Sequence, residues 1–337
     1  MLQQYVKIVP NQLRDDIQVR MGRIRFLPFY PSPRHMVYWT MPFPCIYALN
    51  NEGVLCRMNL RTLELEFLGG PPFTPSYPKN KLFVLPGVSD RTIFAFYADT
   101  SGGKIKVFSY DLIDMFWQEH TPQDLKDESG YIHHSCSDGD HLVYIGVQSA
   151  KPGELYCYDA LNDSWDTLSA EDLRGVDCIW DNKLFASVLY PINVGATEEE
   201  RMSRNDTIRY LDLSDMTWKD FHVRLPKPRC GWIYYTSRAW LMNIKGTLYC
   251  LITGADNTIH GQQYEQRGML FKFDADRSKW LPIDIHPQVS RYLASQSPSY
   301  TFSDTHLYVG HLQAGGQYVW EHPRDLIEIP LAVLEEA

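Results

Sequence analysis

From Gly153 to Leu168 the chain alternates apolar and polar positions, breaks at Asp159 to Asp163, and resumes at Trp165. Alternation places every second side chain on one face, so the pattern predicts two half-buried strands joined by a tight turn. An Asp at such a turn can accept hydrogen bonds from its own backbone two residues on, fixing the bend. The Trp beyond it offers a wide, rigid ring suited to filling the gap between neighbouring sheets. The same Asp-to-Trp spacing recurs at Asp111 and Trp117, at Asp212 and Trp218, and at Asp274 and Trp280. The intervals, roughly 48, 53 and 62 residues, lie in or near the range of propeller repeats.

A second repeated feature stands upstream of these hairpins, a small turn followed by a β-rich run. It is seen at Ser89 to Phe94, Asp138 to Val143, Asp181 to Phe185, Lys245 to Tyr249 and Ser303 to Tyr308. Each reads as a tight turn between two inner strands. One such hairpin plus one Asp-to-Trp hairpin makes the four-stranded sheet of a propeller blade. The predicted fold class is therefore all-β, a single β-propeller of six four-stranded blades, or seven if the N-terminal segment supplies more than one strand.

The first unit is weak. It has Cys45 to Leu49, Leu55 to Asn59 and Leu63 to Leu68 as strands, with Asn59 where Asp is expected and no Trp after it. The sixth, Tyr300 to Leu331, is degenerate, with Leu326 to Leu331 expected as its outer strand. Residues 1–34 fit the repeat poorly, though Val6 to Val9 and Ile24 to Phe29 are strand candidates. A ring of blades removes its exposed edge by borrowing a strand from the far terminus, and this segment is a candidate for it. The expected organisation is an N-terminal segment over 1–34, a propeller over 35–331 and an acidic tail over 332–337.

An aromatic residue, Asp, a short turn and then Trp resemble the Kelch repeat, over about residues 35–331. That resemblance implies a six-bladed propeller that binds proteins. The Gly pair that ends the second strand of a Kelch blade is missing after Val147, Tyr190 and Leu312; the pairs present, such as Gly69-Gly70 and Gly315-Gly316, lie elsewhere. WD40 repeats fit less well, because no Gly-His and Trp-Asp pair frames each unit.

Composition agrees with a large folded body: 337 residues, 44% of them apolar, with 21 Tyr and 9 Trp to build a core. A formal charge of −9 argues against nucleic-acid or anionic-membrane binding, which rest on Lys and Arg. The seven cysteines are scattered in apolar runs, which suits thiols in a reducing compartment. Met1 to Arg25 is polar and interrupted by Pro10, unlike a signal segment, and no apolar run reaches membrane-span length. The expected location is cytoplasm or nucleus.

Loop length singles out a candidate surface. From second-strand anchor to turn Asp the chain runs about 17 residues in units two and three. In unit four, from Leu184 to Asp212, it is about 28, and in unit five, from Leu248 to Asp274, about 26; such insertions tend to be functional or disordered. The first insertion, Tyr190 to Asn205, carries Tyr190, Glu198, Arg201, Arg204 and Asn205. The second, Thr253 to Gly268, carries His260, Gln263, Tyr264 and Arg267. On consecutive blades they would share one rim, and their mixed charges, amides and Tyr suit polar recognition. The link Arg224 to Arg229 sets Arg224, Lys227 and Arg229 among prolines. It fits an acidic peptide through the Arg fork, or a solvated, Pro-stiffened connection.

Catalytic patterns are sparse. His133, His134, Cys136 and His141 are the densest potential ligands, but adjacent strand residues face opposite ways, so a metal site is not expected. Ser214 to Trp218 echoes a sialidase Asp-box without its Gly. No nucleophile elbow, Walker loop or dinucleotide fingerprint is present, so no cofactor is expected. The function expected is a non-catalytic protein- or peptide-binding scaffold. The alternatives are a substrate-recognition subunit of a ubiquitin ligase, implied by the Kelch resemblance alone, and a propeller glycoside hydrolase or lyase with carboxylates converging on the channel.

Overall fold

The computed structural model describes residues 25–28, 35–40, 43–49, 54–70, 81–88, 91–98, 105–121, 130–149, 154–169, 176–186, 188–189, 207–226, 232–256, 265–284, 299–310 and 325–335. They form six antiparallel blades arranged as a propeller. Blade one is β2 (His35–Trp39), β3 (Cys45–Leu49), β4 (Leu55–Asn59) and β5 (Leu65–Gly69), hydrogen-bonded in that order. Blade two is β6 (Lys81–Val88), β7 (Thr92–Ala98), β8 (Ile105–Asp111) and β9 (Trp117–Glu119); blade three is β10 (Gly130–Ser137), β11 (Leu142–Ser149), β12 (Glu154–Asp159) and β13 (Ser164–Ser169). Blade four is β14 (Val176–Trp180), β15 (Lys183–Ala186), β17 (Arg209–Asp212) and β18 (Thr217–Asp220). Blade five is β19 (Trp232–Ile244), β20 (Thr247–Asp256), β21 (Glu265–Asp274) and β22 (Lys279–Ile283), with a short extra strand, β16 (Val188–Leu189), reaching over from blade four to pair with β19.

Blade six is β23 (Ser299–Phe302), β24 (His306–Gly310), β25 (Asp325–Pro330) and, outermost, β1 (Arg25–Pro28). Here the structure departs from the expected order. The run Leu326 to Leu331 is the third strand of the sheet, because β1 pairs outside it from Arg25 opposite Glu328 to Pro28 opposite Asp325. After Pro330 the chain turns into a helix, α1 (Leu331–Glu335), whose Leu331 and Leu334 are buried, Leu334 within the stretch expected as an acidic tail.

The repeated Asp makes the predicted turn. Asp111 Oδ1 accepts from the amides of Ile113 and Asp114, Asp159 Oδ1 from Leu161 and Asn162, Asp212 Oδ1 from Ser214, and Asp274 Oδ1 from Arg277. Asn59 does the same in blade one, accepting from Arg61 and Thr62, since a side-chain amide oxygen has the same reach as a carboxylate oxygen. In every one of these turns the fourth residue on is left-handed: Leu63, Met115, Asp163, Met216 and Ser278 have φ of 61°, 56°, 46°, 55° and 48°. Between inner strands, Asp181-Asn182 and Lys245-Gly246 both have paired positive φ, the signature of a two-residue turn matched to strand twist.

Among the described residues the core forms six apolar clusters, one at each blade interface, which is how sheets stacked radially bury both faces. Trp117 packs with Tyr47 and Phe108 between blades one and two, Trp165 with Phe94 and Tyr158 between two and three, Trp218 with Leu155 and Leu211 between three and four, and Trp280 with Phe221 and Phe273 between four and five. Each Trp faces the preceding blade. In blade one the equivalent position is Leu65, packed against the cluster that joins Tyr308 of blade six to Ile46 and Met58. Between blades five and six, Leu331 and Leu334 fill that place from α1, against Trp240, Leu251 and Leu307.

Candidate functional site

The antiparallel order puts two kinds of connection on each rim. One rim carries the turns between strands one and two of each blade and, in blades one to five, between strands three and four, nearly all described. The other carries the connections between strands two and three and from blade to blade. Tyr190, Glu198, Arg201, Arg204, Asn205, His260, Gln263, Tyr264, Lys227 and Arg229 lie outside the described residues.

Two of the expected site residues have a described backbone. Arg224 follows β18, and its carbonyl accepts a 2.9 Å bond from Trp280 Nε1, tying blade four's exit to blade five. Arg267 lies within β21, opposite Gly254 of β20. The second insertion is therefore not all loop. Thr253 to Asp256 pairs with Glu265 to Gly268, so blade five's central strands are both ten residues long and carry their connection outward on a β-ladder.

Among the described residues the densest polar constellation joins blades two and three. His120, just past β9, has Nε2 2.7 Å from Ser109 Oγ and Nδ1 3.3 Å from Asp163 Oδ1. Tyr158 donates to the same Asp163 oxygen at 2.7 Å, and Trp165 Nε1 donates to the His120 carbonyl at 3.2 Å. The order Ser, His, Asp mimics a nucleophilic triad. Its geometry serves the interface instead: Ser109 is only 7% exposed in the middle of β8, so no substrate carbonyl can reach its Oγ. The Tyr158 bond, with His120 adding to it, holds the Asp163 carboxyl below its usual range.

Blades four and five repeat the arrangement in simpler form, His222 Nε2 lying 3.2 Å from Ser278 Oγ. Sequence reasoning missed both histidines. The available signal was a His a few positions past the post-turn Trp, at Trp117 and His120 and again at Trp218 and His222. Toward the axis, inner strands are tied by side chains: Asp177 Oδ2 accepts from the Leu241 amide at 3.0 Å, Asn243 Nδ2 donates to the Ile179 carbonyl at 2.8 Å, and the Tyr38 amide donates to Thr301 Oγ1 at 2.8 Å.

A β-bulge between Ile132 and His134 interrupts the alternation assumed for the paired histidines, and His141 Nδ1 lies 3.0 Å from Asp140. Among the described residues no three His, Cys, Asp or Glu side chains are grouped to hold a metal ion. Cys45, Cys56, Cys136, Cys157, Cys178 and Cys250 are all thiols outside any disulfide. Burial pushes Cys45 and Cys157 up to about 11 and Cys56 up to about 12, which makes them poor nucleophiles at neutral pH. Among the described residues no helix is long and apolar enough to cross a membrane.

No family model matches the sequence, and no curated protein resembles it closely enough to match. The fold itself has many counterparts among solved structures. U3-55K superposes with a TM-score of 0.54 at 12% identity, covering 91% of this chain and 98% of its own. The WD40 repeats of RRP9 give 0.54 at 12% identity, with 91% and 97% covered. A luciferin-regenerating enzyme gives 0.52 at 10% identity, with 91% and 94% covered. At identities of 10–12% the likeness carries the architecture alone: the chain is a six-bladed β-propeller.

Proposed function

We propose that the chain is a non-catalytic, Kelch-like propeller that binds a protein or peptide through the rim formed by the connections of blades four and five. The observation that carries this reading is the lengthened β20–β21 ladder of blade five, which runs out to Asp256 beside an equally extended β19 and holds the backbone of Arg267 on a paired strand. Such a ladder spends ordered backbone on projecting a connection, which the ring does not need for closure. The long connection of blade four, with Glu198, Arg201 and Arg204, joins the proposed surface by its length and by its place in the chain between β16 and β17. The repeated Asp and Trp residues meanwhile are absorbed by turns and interfaces, and the triad-like group by an interblade contact. Likeness to WD40 propellers fits a binding role, and with the reducing-compartment thiols suggests the cytoplasm or nucleus as its place.

The test is affinity capture from cell extract with the intact chain and with Glu198 to Arg204 replaced by a Gly-Ser linker. Loss of a specific partner from the variant supports the rim as its binding surface. An unchanged set of partners, with the variant's melting curve intact, overturns it.

A further inference from the structure

The turns between third and fourth strands carry side chains that turning does not require. Asx bonds and one left-handed residue suffice to reverse the chain, and a left-handed position favours Gly or Asn over Met. Yet the large apolar side chains most exposed among the described residues include Ile113 at 68%, Met115 at 52%, Phe116, Leu161 at 76% and Met216, all on these turns. They stand on three consecutive blades, two to four. Blade five offers Ala275-Asp276-Arg277-Ser278 at the same place, so the apolar knuckles occupy one arc of the rim. Clustered exposed apolar groups rimmed by polar ones mark contact surfaces.

The charge around them is one-sided. Blade three's two turns on this rim, Ser137 to His141 and Asp159 to Ser164, hold four Asp and no Lys or Arg. In blade two, Asp111 and Asp114 share Arg91, and in blade four, Asp212 and Asp215 share Lys219. Each flank therefore keeps a carboxylate in excess. A second copy of this chain would set the arc against its own kind, acid against acid, on a body of net charge −9.

From this complementarity we infer that the arc formed by the third-to-fourth-strand turns of blades two, three and four docks a cationic amphipathic segment of a partner protein, one in which Lys or Arg alternate with large apolar side chains. The apolar side chains lie between Leu161 and the Ile113–Phe116 knuckle, and the cations meet the blade-three carboxylates, with Asp140 and Leu161 at the centre. The surface is on the rim opposite the long connections of blades four and five. It stands whether or not those connections bind a partner.

The experiment is fluorescence anisotropy with a labelled peptide alternating lysine and leucine, beside lysine–serine and glutamate–leucine peptides of the same length. The lysine–leucine peptide binds best, and Leu161→Ser and Asp140→Lys each weaken it by about tenfold. Asp276→Lys on blade five changes net charge by the same amount as Asp140→Lys and leaves binding unchanged. Met216→Ser serves as a second apolar variant should Leu161→Ser alter the melting curve. Undiminished binding by the arc variants, an equal loss in Asp276→Lys, or equal binding of the glutamate–leucine peptide overturns the proposal. So does sedimentation showing a dimer, without peptide, that Leu161→Ser dissolves.

Discussion

Replacing Trp165 with Ala tests the interblade role of the repeated Trp. The ring lies 4.6 Å from Tyr158 between centroids and packs on the cluster shared by Phe94, Phe96 and Val107 of blade two. A fully enclosed Trp buries about 150–250 Å², which at about 25 cal/mol per Å² corresponds to about 4–6 kcal/mol. Trp165 is half-buried, so about 2–3 kcal/mol of that applies, and the lost bond to the His120 carbonyl adds about 1 kcal/mol. The expected loss is about 3–4 kcal/mol, within the range for large-to-small core substitutions. Urea unfolding followed by tryptophan-independent far-UV circular dichroism reads it as a lower midpoint at constant slope. A shallower slope would show blades two and three coming apart from the rest, as nearest-neighbour coupling in repeat folds permits. A loss below about 1 kcal/mol, too small for any core truncation, would refute the reasoning.

Related perturbations separate the contributions. Trp117 Nε1 is buried without an acceptor, whereas its counterparts in blades three and five each have one; Trp117→Phe should therefore cost less than Trp165→Phe, which gives up about 1 kcal/mol in the same urea assay. Met115→Gly should raise stability by up to about 1 kcal/mol by relieving a left-handed Met, while Gly246→Ala, at φ 79° with open space around its Cβ, should lower it by about 1 kcal/mol. The turn carboxylates titrate low, Asp159 chiefly through its bond from Asn162 and Asp212 through Lys219. Their folded pKa is depressed, so their contribution is present above the unfolded value and fades as pH falls below about 4. Asp159→Asn, which keeps the cap as Asn59 does, should flatten the melting-temperature profile below that pH. A profile that still falls as steeply would remove Asp159 from the acid response.

The interfaces were legible because one spacing served two physical ends. The Asp sets the turn and the Trp reaches the preceding blade, so the pair marks both a local and a tertiary contact. It exposed one substitute, Asn59, by position alone, while Leu65 in the place of the Trp came from the packing. The outer strand of blade six was legible only in part: Ile24 to Phe29 reads as a strand and the N-terminal segment as a candidate to close the ring, but not which strand it joins. Arg25 to Pro28 pairs across almost the whole chain, and nothing in four residues encodes a partner that remote. The β20–β21 extension was read as loop because Thr253 to Asp256 and Glu265 to Gly268 lack apolar alternation, and a strand without one buried face leaves no period to find. His120 was missed because its signal, a His a few positions past the post-turn Trp, recurs only at His222 and at a different spacing, and its meaning comes from Asp163 on another blade.

The pairing of β1 with β25 also sets an order of events. Strand β1 leaves the ribosome early, yet its partner is among the last described elements to emerge, so during synthesis its edge has nothing to join. Blades one to five can accumulate their interface clusters in turn, but the sixth sheet cannot complete until both distant segments meet. Throughout that interval the unfinished sheet is open to any strand that reaches it first, from a chaperone or from a neighbouring nascent chain. For this protein, the hazard of misassembly is concentrated in the time between making β1 and making β25.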